Sequence, residues 1–441
     1  MEIKKQIAPV LFFILLLFLA TYQDFPLMNV FGEIARSPMV FCAPFMLLYI
    51  LAHKKIIISK NLSYWIYYVL YVILLSFIYL IIVYYLNNSL EVFYENLIVK
   101  TLKMLVYPLV GIIFYQFVYA HLRQLKHPLY VFFHALLFLQ IFTAIWLIFE
   151  IYFLKKPIEF MSFIHAYPQK YWRIRLWTLE ESWTGTILIL LTFFPVYFLY
   201  KLKLFRWKKI LSIALSVFIF SSYIAVSESK GFLLLVMVCV LPMIYQFIMD
   251  NKKLRQISLY LLLVIGVIIV VALFNLQSVI FNKFYNNITF GTRFTSVYAS
   301  LDVFLHSIIG VGYSGFVNFY PQAIERAMEL DWFASLDLRE IKAYLSSTKA
   351  LSSKSDFFDQ LMYGGVVYLY FFYRFYVKRV LFFHNIKKQE VYFLRIPLLF
   401  IILAGIIYIT YHIKYEVWLF LAFLDFIQDT YTHENTKKHQ A

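Results

Sequence analysis

The segment Tyr171-Trp-Arg-Ile-Arg-Leu-Trp-Thr-Leu-Glu-Glu-Ser-Trp183 sets Arg173 and Arg175 a few residues ahead of Glu180 and Glu181. A guanidinium offers a planar bidentate fork to phosphate oxygens, and a carboxylate accepts a proton from a hydroxyl. The competing reading is a mutual Arg–Glu pair that only stiffens a loop. Further along, Ser227-Glu-Ser-Lys230-Gly231 forms a tight hairpin between apolar runs, where a lysine either meets an anion or snorkels to the interface. Arg293, Lys354 and Asp356 belong to a long mixed segment, Asn275 to Asp356. These cations, with Lys170, Arg326 and Arg339, lie in connections where the orientation rule for membrane proteins disfavours positive charge, so a polyanionic ligand is one reason for them to be there.

Other chemistries find less support. His134 and His165 stand alone, no cluster has metal-ligand spacing, and no Asp-x-Asp sequence or carboxylate pair is placed for a divalent ion, so neither a metal nor a cofactor is expected. Cys42 and Cys239 sit inside apolar runs and act as small hydrophobes. Gly310-Val-Gly-Tyr-Ser-Gly315 has the spacing of a dinucleotide fingerprint, but no strand precedes it and no βαβ unit surrounds it. The net charge of +16 falls in short clusters between apolar spans and forms no stripe for nucleic acid.

The elements that position these residues are set by the solvent. Of 441 residues, 63% are hydrophobic and only 15% charged, against roughly 25% charged in a soluble domain. Ile7–Thr21, Leu62–Leu86, Ile210–Val226 and Ile257–Phe274 carry no ionised side chain and are each long enough, or nearly so, to cross hydrocarbon as a helix. The first reads as an uncleaved anchor. Basic clusters such as Lys54/Lys55, Arg123/Lys126, Lys201 to Lys209, Lys252/Lys253 and Arg374 to Lys388 occupy alternate connections, and the positive-inside rule assigns them to the cytoplasm. Both termini then face inward. Continuing the alternation predicts an all-α, polytopic protein of about twelve transmembrane helices. Residues 1–274 hold the first nine with short loops, residues 275–356 form a large extracytoplasmic loop, and residues 357–441 hold the last three and a tail. Within the loop, Phe294, Val297, Leu301, Phe304, Leu305 and Ile308 repeat at helical spacing, opposite Arg293, Ser296, Ser300 and Ser307. That pattern predicts an amphipathic helix on the outer membrane surface, with a second short helix over Pro321–Leu330. The last span, Tyr415–Ile427, is the weakest, being short and containing Glu416 and Asp425.

In this order the pieces resemble the O-antigen polymerase and O-antigen ligase family of bacterial envelope glycosyltransferases, over most of the chain. Arg173 and Glu180 reproduce the family's Arg-x-x-x-x-x-x-Glu stretch, with Arg175 and Glu181 beside them. Ser229-Lys230-Gly231 stands where the family has Ser-Arg-Gly. Arg293, then His306-Ser-Ile-Ile-Gly-Val-Gly-Tyr-Ser-Gly-Phe316, fits the outer-loop arginine and the following glycine-containing segment. Ser355-Asp-Phe-Phe-Asp-Gln-Leu-Met-Tyr-Gly-Gly365 fits the return to the membrane. Ligases usually carry a histidine and asparagine where this chain has Ser353-Lys354-Ser355, which favours the polymerase branch.

The resemblance implies a C-type membrane glycosyltransferase that polymerises undecaprenyl-diphosphate-linked repeat units into an O-antigen or capsule at the outer face of the bacterial inner membrane. The alternative is ligation of glycan to lipid A-core. Arg173, Arg175, Lys230, Arg293 and Lys354 are then expected on the diphosphate. Glu180, Arg293 and Asp356 become the catalytic group, with Glu180 the first choice of base and Asp356 the second. Membrane lipid, a chain-length regulator and a flippase are the implied partners. A transporter is a rival class, but midplane transport sites use helices broken by Gly and Pro, and the 12 Gly and 12 Pro here suggest few such breaks.

Overall fold

The computed structural model of the protein describes residues 7–52, 56–154, 164–166, 174–226, 230–250, 288–346, 351–386 and 388–440. Over these residues it is an all-α membrane protein. A two-residue ribbon pairs Glu91–Val92 with Glu95–Asn96 through Phe93 and Tyr94, both in left-handed conformations, as a two-residue hairpin requires.

The principal helices are α1 (Ile7–Thr21), α2 (Met39–Leu51), α3 (Lys60–Asn87), α4 (Leu97–Gln124), α5 (Pro128–Tyr152), α6 (Glu181–Lys201), α7 (Arg206–Val226) and α8 (Lys230–Asp250). Beyond them come α9 (Ile288–His306), α10 (Gly312–Met328), α11 (Asp356–Phe372), α12 (Lys378–Asn385), α13 (Gln389–Ile407) and α14 (Tyr415–Gln440). Six of them, α3 to α7 and α13, are long and apolar enough to cross a membrane, and Ile7–Thr21, Met39–Leu51 and Gly231–Pro242 are shorter apolar helices. The expected spans Ile7–Thr21, Leu62–Leu86 and Ile210–Val226 fall within α1, α3 and α7, while Ile257–Phe274 lies outside the described residues.

These helices are apolar on all sides. Their inner faces pack together, α14 along α4, α13 along α6, α1 along α5, α2 along α4 and α10 along α3. Large outward side chains such as Phe45, Ile81 and Tyr85 remain exposed, as expected where the surrounding solvent is hydrocarbon. Among the described residues, Pro44, Pro108, Pro195, Pro242, Pro321 and Pro397 sit in helix interiors beyond the first turn, more than the sequence reading expected. Membrane helices tolerate them because neighbouring helices and side chains take up the freed backbone groups.

The loop helices differ from expectation in detail. In α9 the apolar stripe is exposed at Phe294, Leu301 and Leu305, and the small polar side, with Thr292, Thr295, Ser296 and Ser300, is buried against α10 and α11. The polar side is therefore the one that faces protein. Helix α10 begins at Gly312, nine residues before Pro321. Its first turn is anchored by the Tyr313 N–H donating to Ser76 Oγ at 2.8 Å and Ser314 Oγ donating to the Ser76 carbonyl at 2.8 Å. Pro321 is an interior residue here and not a start signal.

Helix α11 breaks at Gly365, whose φ of 56° and ψ of −144° suit glycine alone. The turn Ile308–Val311 docks into this break: Val311 N–H donates to the Met362 carbonyl at 2.9 Å and Val366 N–H to the Ile308 carbonyl at 2.8 Å. A Cβ on Gly310 would fall 2.6 Å from Gly365 N and from the Tyr363 carbonyl. Gly310 thus serves close backbone approach to α11, while Gly312 lets the start of α10 close on the Ser76 backbone of α3.

Below this joint, Arg379 is drawn fully inside. Its Nε donates to Asp425 Oδ1 at 2.8 Å, and the same carboxylate accepts from Ser59 Oγ (2.5 Å), Asn61 Nδ2 (2.7 Å) and Tyr115 Oη. Sequence alone places Arg379 in a cytoplasmic cluster; its partner on α14 takes it into the core. Helix α14 also outruns the expected last span, since Glu416 and Asp425 are both buried with partners.

Candidate functional site

A cavity of about 430 Å³ opens where the α1–α2 connection, the starts of α4 and α6, α9, Glu340, residues 351–360 and the α13–α14 connection meet. Glu180, Arg293, Lys354 and Asp356, separated by up to 176 positions in the chain, all line it.

Glu180 immediately precedes α6 in an extended conformation, and its exposed side chain receives Ser182 Oγ at 3.4 Å. Arg293 sits on the first turns of α9. It donates from Nη1 to the Ile407 carbonyl at 3.1 Å and stacks 5.5 Å from the Tyr408 ring. Burial pulls its guanidinium below the ordinary arginine range, opposed by Tyr408, Glu340 and Glu180. Among the described residues it makes no ion pair with a carboxylate. A partly dry guanidinium without a salt bridge favours an anionic ligand.

Lys354 adopts φ 61°, a left-handed conformation that a non-glycine residue holds only when its surroundings impose it. Its N–H donates to Ser352 Oγ at 3.0 Å, and its ammonium lies 5.4 Å from the Tyr344 ring. Asp356 opens α11 behind the capping Ser355, its N–H bound to the Ile409 carbonyl at 2.9 Å and its Oδ1 accepting Tyr411 N–H at 3.0 Å. It is buried in the wall, with one oxygen committed to backbone. Glu180, by contrast, is open to the cavity.

The other expected ligands go elsewhere. Arg175 does not line the cavity; its Nη1 lies 3.5 Å from the buried Asp24, which also has His165 Nδ1 at 2.8 Å. Arg173 and the side chain of Lys230 lie outside the described residues.

Several cavity residues carried no sequence signal. Arg36 and Lys100 add two cations, Arg36 paired with Glu33 at 3.3 Å and Lys100 with Glu95 at 4.0 Å. Asp359 accepts from Ser352 Oγ at 2.8 Å and Ser353 N–H at 2.7 Å. Glu340 accepts from Thr292 at 3.1 Å. Trp183 forms one wall and has Arg36 5.2 Å and Lys414 4.0 Å from its ring. Behind it the buried Lys414 donates to Gln23 Oε1 at 2.5 Å, Gln23 Nε2 donates to Glu416 at 2.7 Å, and Thr186 donates to the other Glu416 oxygen at 2.7 Å. Arg36 and Lys414 lie in connections far apart in the chain, and nothing local marks them as neighbours.

Among the described residues no group of three or more His, Cys, Asp or Glu side chains is arranged to hold a metal ion. Chemically, the cavity offers cations for an anionic group, carboxylates within the same walls, and aromatic surface. Comparison of the chain with protein-family models, curated proteins and solved structures finds no match.

Proposed function

We propose that this cavity is the active site of a membrane glycosyltransferase. It joins undecaprenyl-diphosphate-linked oligosaccharide repeat units into a surface polysaccharide, an O-antigen or a capsule. In this reading the chain crosses the bacterial inner membrane about twelve times with both termini in the cytoplasm. A flippase supplies its substrate, and a chain-length regulator acts beside it. The observation that carries the proposal is the meeting of two cations that, among the described residues, have no carboxylate within ion-pair distance, Arg293 and Lys354, with the carboxylates of Glu180 and Asp356 in one cavity.

The reaction needs little else. The acceptor hydroxyl oxygen attacks the anomeric carbon of the donor, the bond from that carbon to the diphosphate oxygen breaks, and the electron pair leaves with the carrier diphosphate. Arg293 and Lys354 stabilise that departing charge, and Glu180, with its open carboxylate, takes the hydroxyl proton. Asp356, tied to the Tyr411 N–H, positions the wall or acts as the second base. The activated donor requires no divalent ion. Loss of activity on chelation, restored by magnesium or manganese, would overturn that part.

The test is complementation of a deletion strain with Arg293→Ala and Glu180→Ala, reading surface polysaccharide on gels with membrane expression of each variant. Polymerisation is supported if well-expressed variants leave single repeat units on the final acceptor. Long chains stranded on the carrier lipid assign ligation, loss of carrier-linked units at the outer face assigns transport, and unchanged ladders reject the site.

A further inference from the structure

A second cleft, of about 290 Å³, lies at the opposite ends of the same helices, between the end of α6, the start of α5 and the stretch of α14 around Phe426–Tyr431. Its walls are chiefly apolar, with Leu129, Leu202 and Phe426 among them. Lys201 lines it with its ammonium 5.0 Å from the Tyr431 ring, and Lys388, exposed just before α13 and outside the lining, brings a second ammonium 4.7 Å from the same lining ring. Among the described residues neither ammonium has a carboxylate within ion-pair distance. Glu390 instead accepts the Tyr431 hydroxyl at 3.4 Å.

Two ammoniums, 5.0 and 4.7 Å from one ring, make that side of the cleft positive and favour an anion there, and the apolar cleft beside them excludes a ligand that is only an anion. We infer that this cleft binds an anionic glycerophospholipid, its phosphate between Lys201 and Lys388 and one acyl chain running down between Leu202 and Phe426. Neutral phospholipid satisfies the cleft but not the lysines, and free phosphate satisfies the lysines but not the cleft. This site is independent of the reading of the large cavity.

Purified full-length protein, delipidated in detergent, would be titrated with phosphatidylglycerol and with phosphatidylcholine of the same acyl chains, following retained lipid by native mass spectrometry and unfolding by heat. Each lysine beside an anionic headgroup contributes roughly fivefold to binding, so Lys201→Gln with Lys388→Gln is expected to weaken phosphatidylglycerol by up to about 30-fold while leaving phosphatidylcholine unchanged. Leu202→Trp, which fills the cleft and keeps both lysines, is expected to lower retention of the long-chain lipid and to spare a short-chain analogue. Equal binding of the two lipids, full preference in the lysine variant, or the same stabilisation by inorganic phosphate alone would each overturn the inference. If the double variant fails to fold, the Leu202→Trp comparison decides it.

Discussion

Gly365→Ala is expected to destabilise the protein by about 3–5 kcal/mol, from two causes at one joint. The first is conformational: φ 56° with ψ −144° is a region that a residue with a Cβ occupies at a cost of about 1–3 kcal/mol. The second is steric. The new methyl would overlap the Ile308 carbonyl oxygen, the Ile309 carbonyl carbon and the Gly310 nitrogen, all backbone atoms that no rotamer change can move. Separation of the two strands of chain breaks the Val311–Met362 and Val366–Ile308 hydrogen bonds, each worth about 1 kcal/mol net. Gly185→Ala on α6 is the contrast, because its Cβ meets Phe232 Cδ2 at 2.9 Å, the end of a side chain that can turn aside. Gain in helix propensity of up to about 1 kcal/mol offsets that adjustment, so the change is expected near neutral. The joint also ties α9, carrying Arg293, to α11, carrying Asp356. Activity of Gly365→Ala should therefore fall even below its unfolding temperature. The assay is thermal unfolding of both full-length variants in the same detergent, beside complementation. A Gly365→Ala protein within about 1 kcal/mol of wild type, or no less stable than Gly185→Ala, would refute the reasoning.

Asp425→Leu strands the buried Arg379 and is expected to cost about 3–5 kcal/mol, whereas adding Arg379→Met recovers the part due to the guanidinium but not that due to Ser59, Asn61 and Tyr115; additive losses in this double-mutant cycle would show that the pair is not coupled. Lys414→Met leaves Glu416 buried without its cation and should destabilise comparably, with Glu416→Gln restoring part of the loss in the same unfolding assay. Burial holds His165 below the ordinary histidine pKa, with Asp24 acting against that shift. The unfolded chain therefore binds more protons below its own value near 6.5, and stability should fall as pH drops through about 6.5. His165→Asn is expected to flatten that acid slope, and an unchanged slope would assign it to another group.

What the sequence determined by itself follows from solvent and periodicity. Apolar runs without ionised residues can satisfy their backbone in hydrocarbon only as helices, so α1, α3 and α7 were legible. The two-sided pattern of Phe294 to Ile308 likewise fixed a helix there, since side-chain direction follows from 3.6 residues per turn alone. Arg293 and Lys354 stood out because positive charge in an outer connection opposes the orientation rule, and Glu180 and Asp356 because the motifs of the resemblance include them.

Partnership was not legible, because it depends on which helices pack side by side. Arg175 and Glu180 lie five positions apart, yet one is paired with Asp24 behind the wall and the other opens into the cavity. Arg379 reads as a topology signal until α14 brings Asp425 against it. The glycines of residues 310–315 have the spacing of a dinucleotide fingerprint, and only the packed helices give Gly310 and Gly312 their purpose, the one closing on the break at Gly365 and the other on the Ser76 backbone. Local chemistry and periodicity are written within a few residues of chain. The pairing of buried charges and the closure of a cavity are set by contacts hundreds of residues apart, and these exist only once the helices have packed.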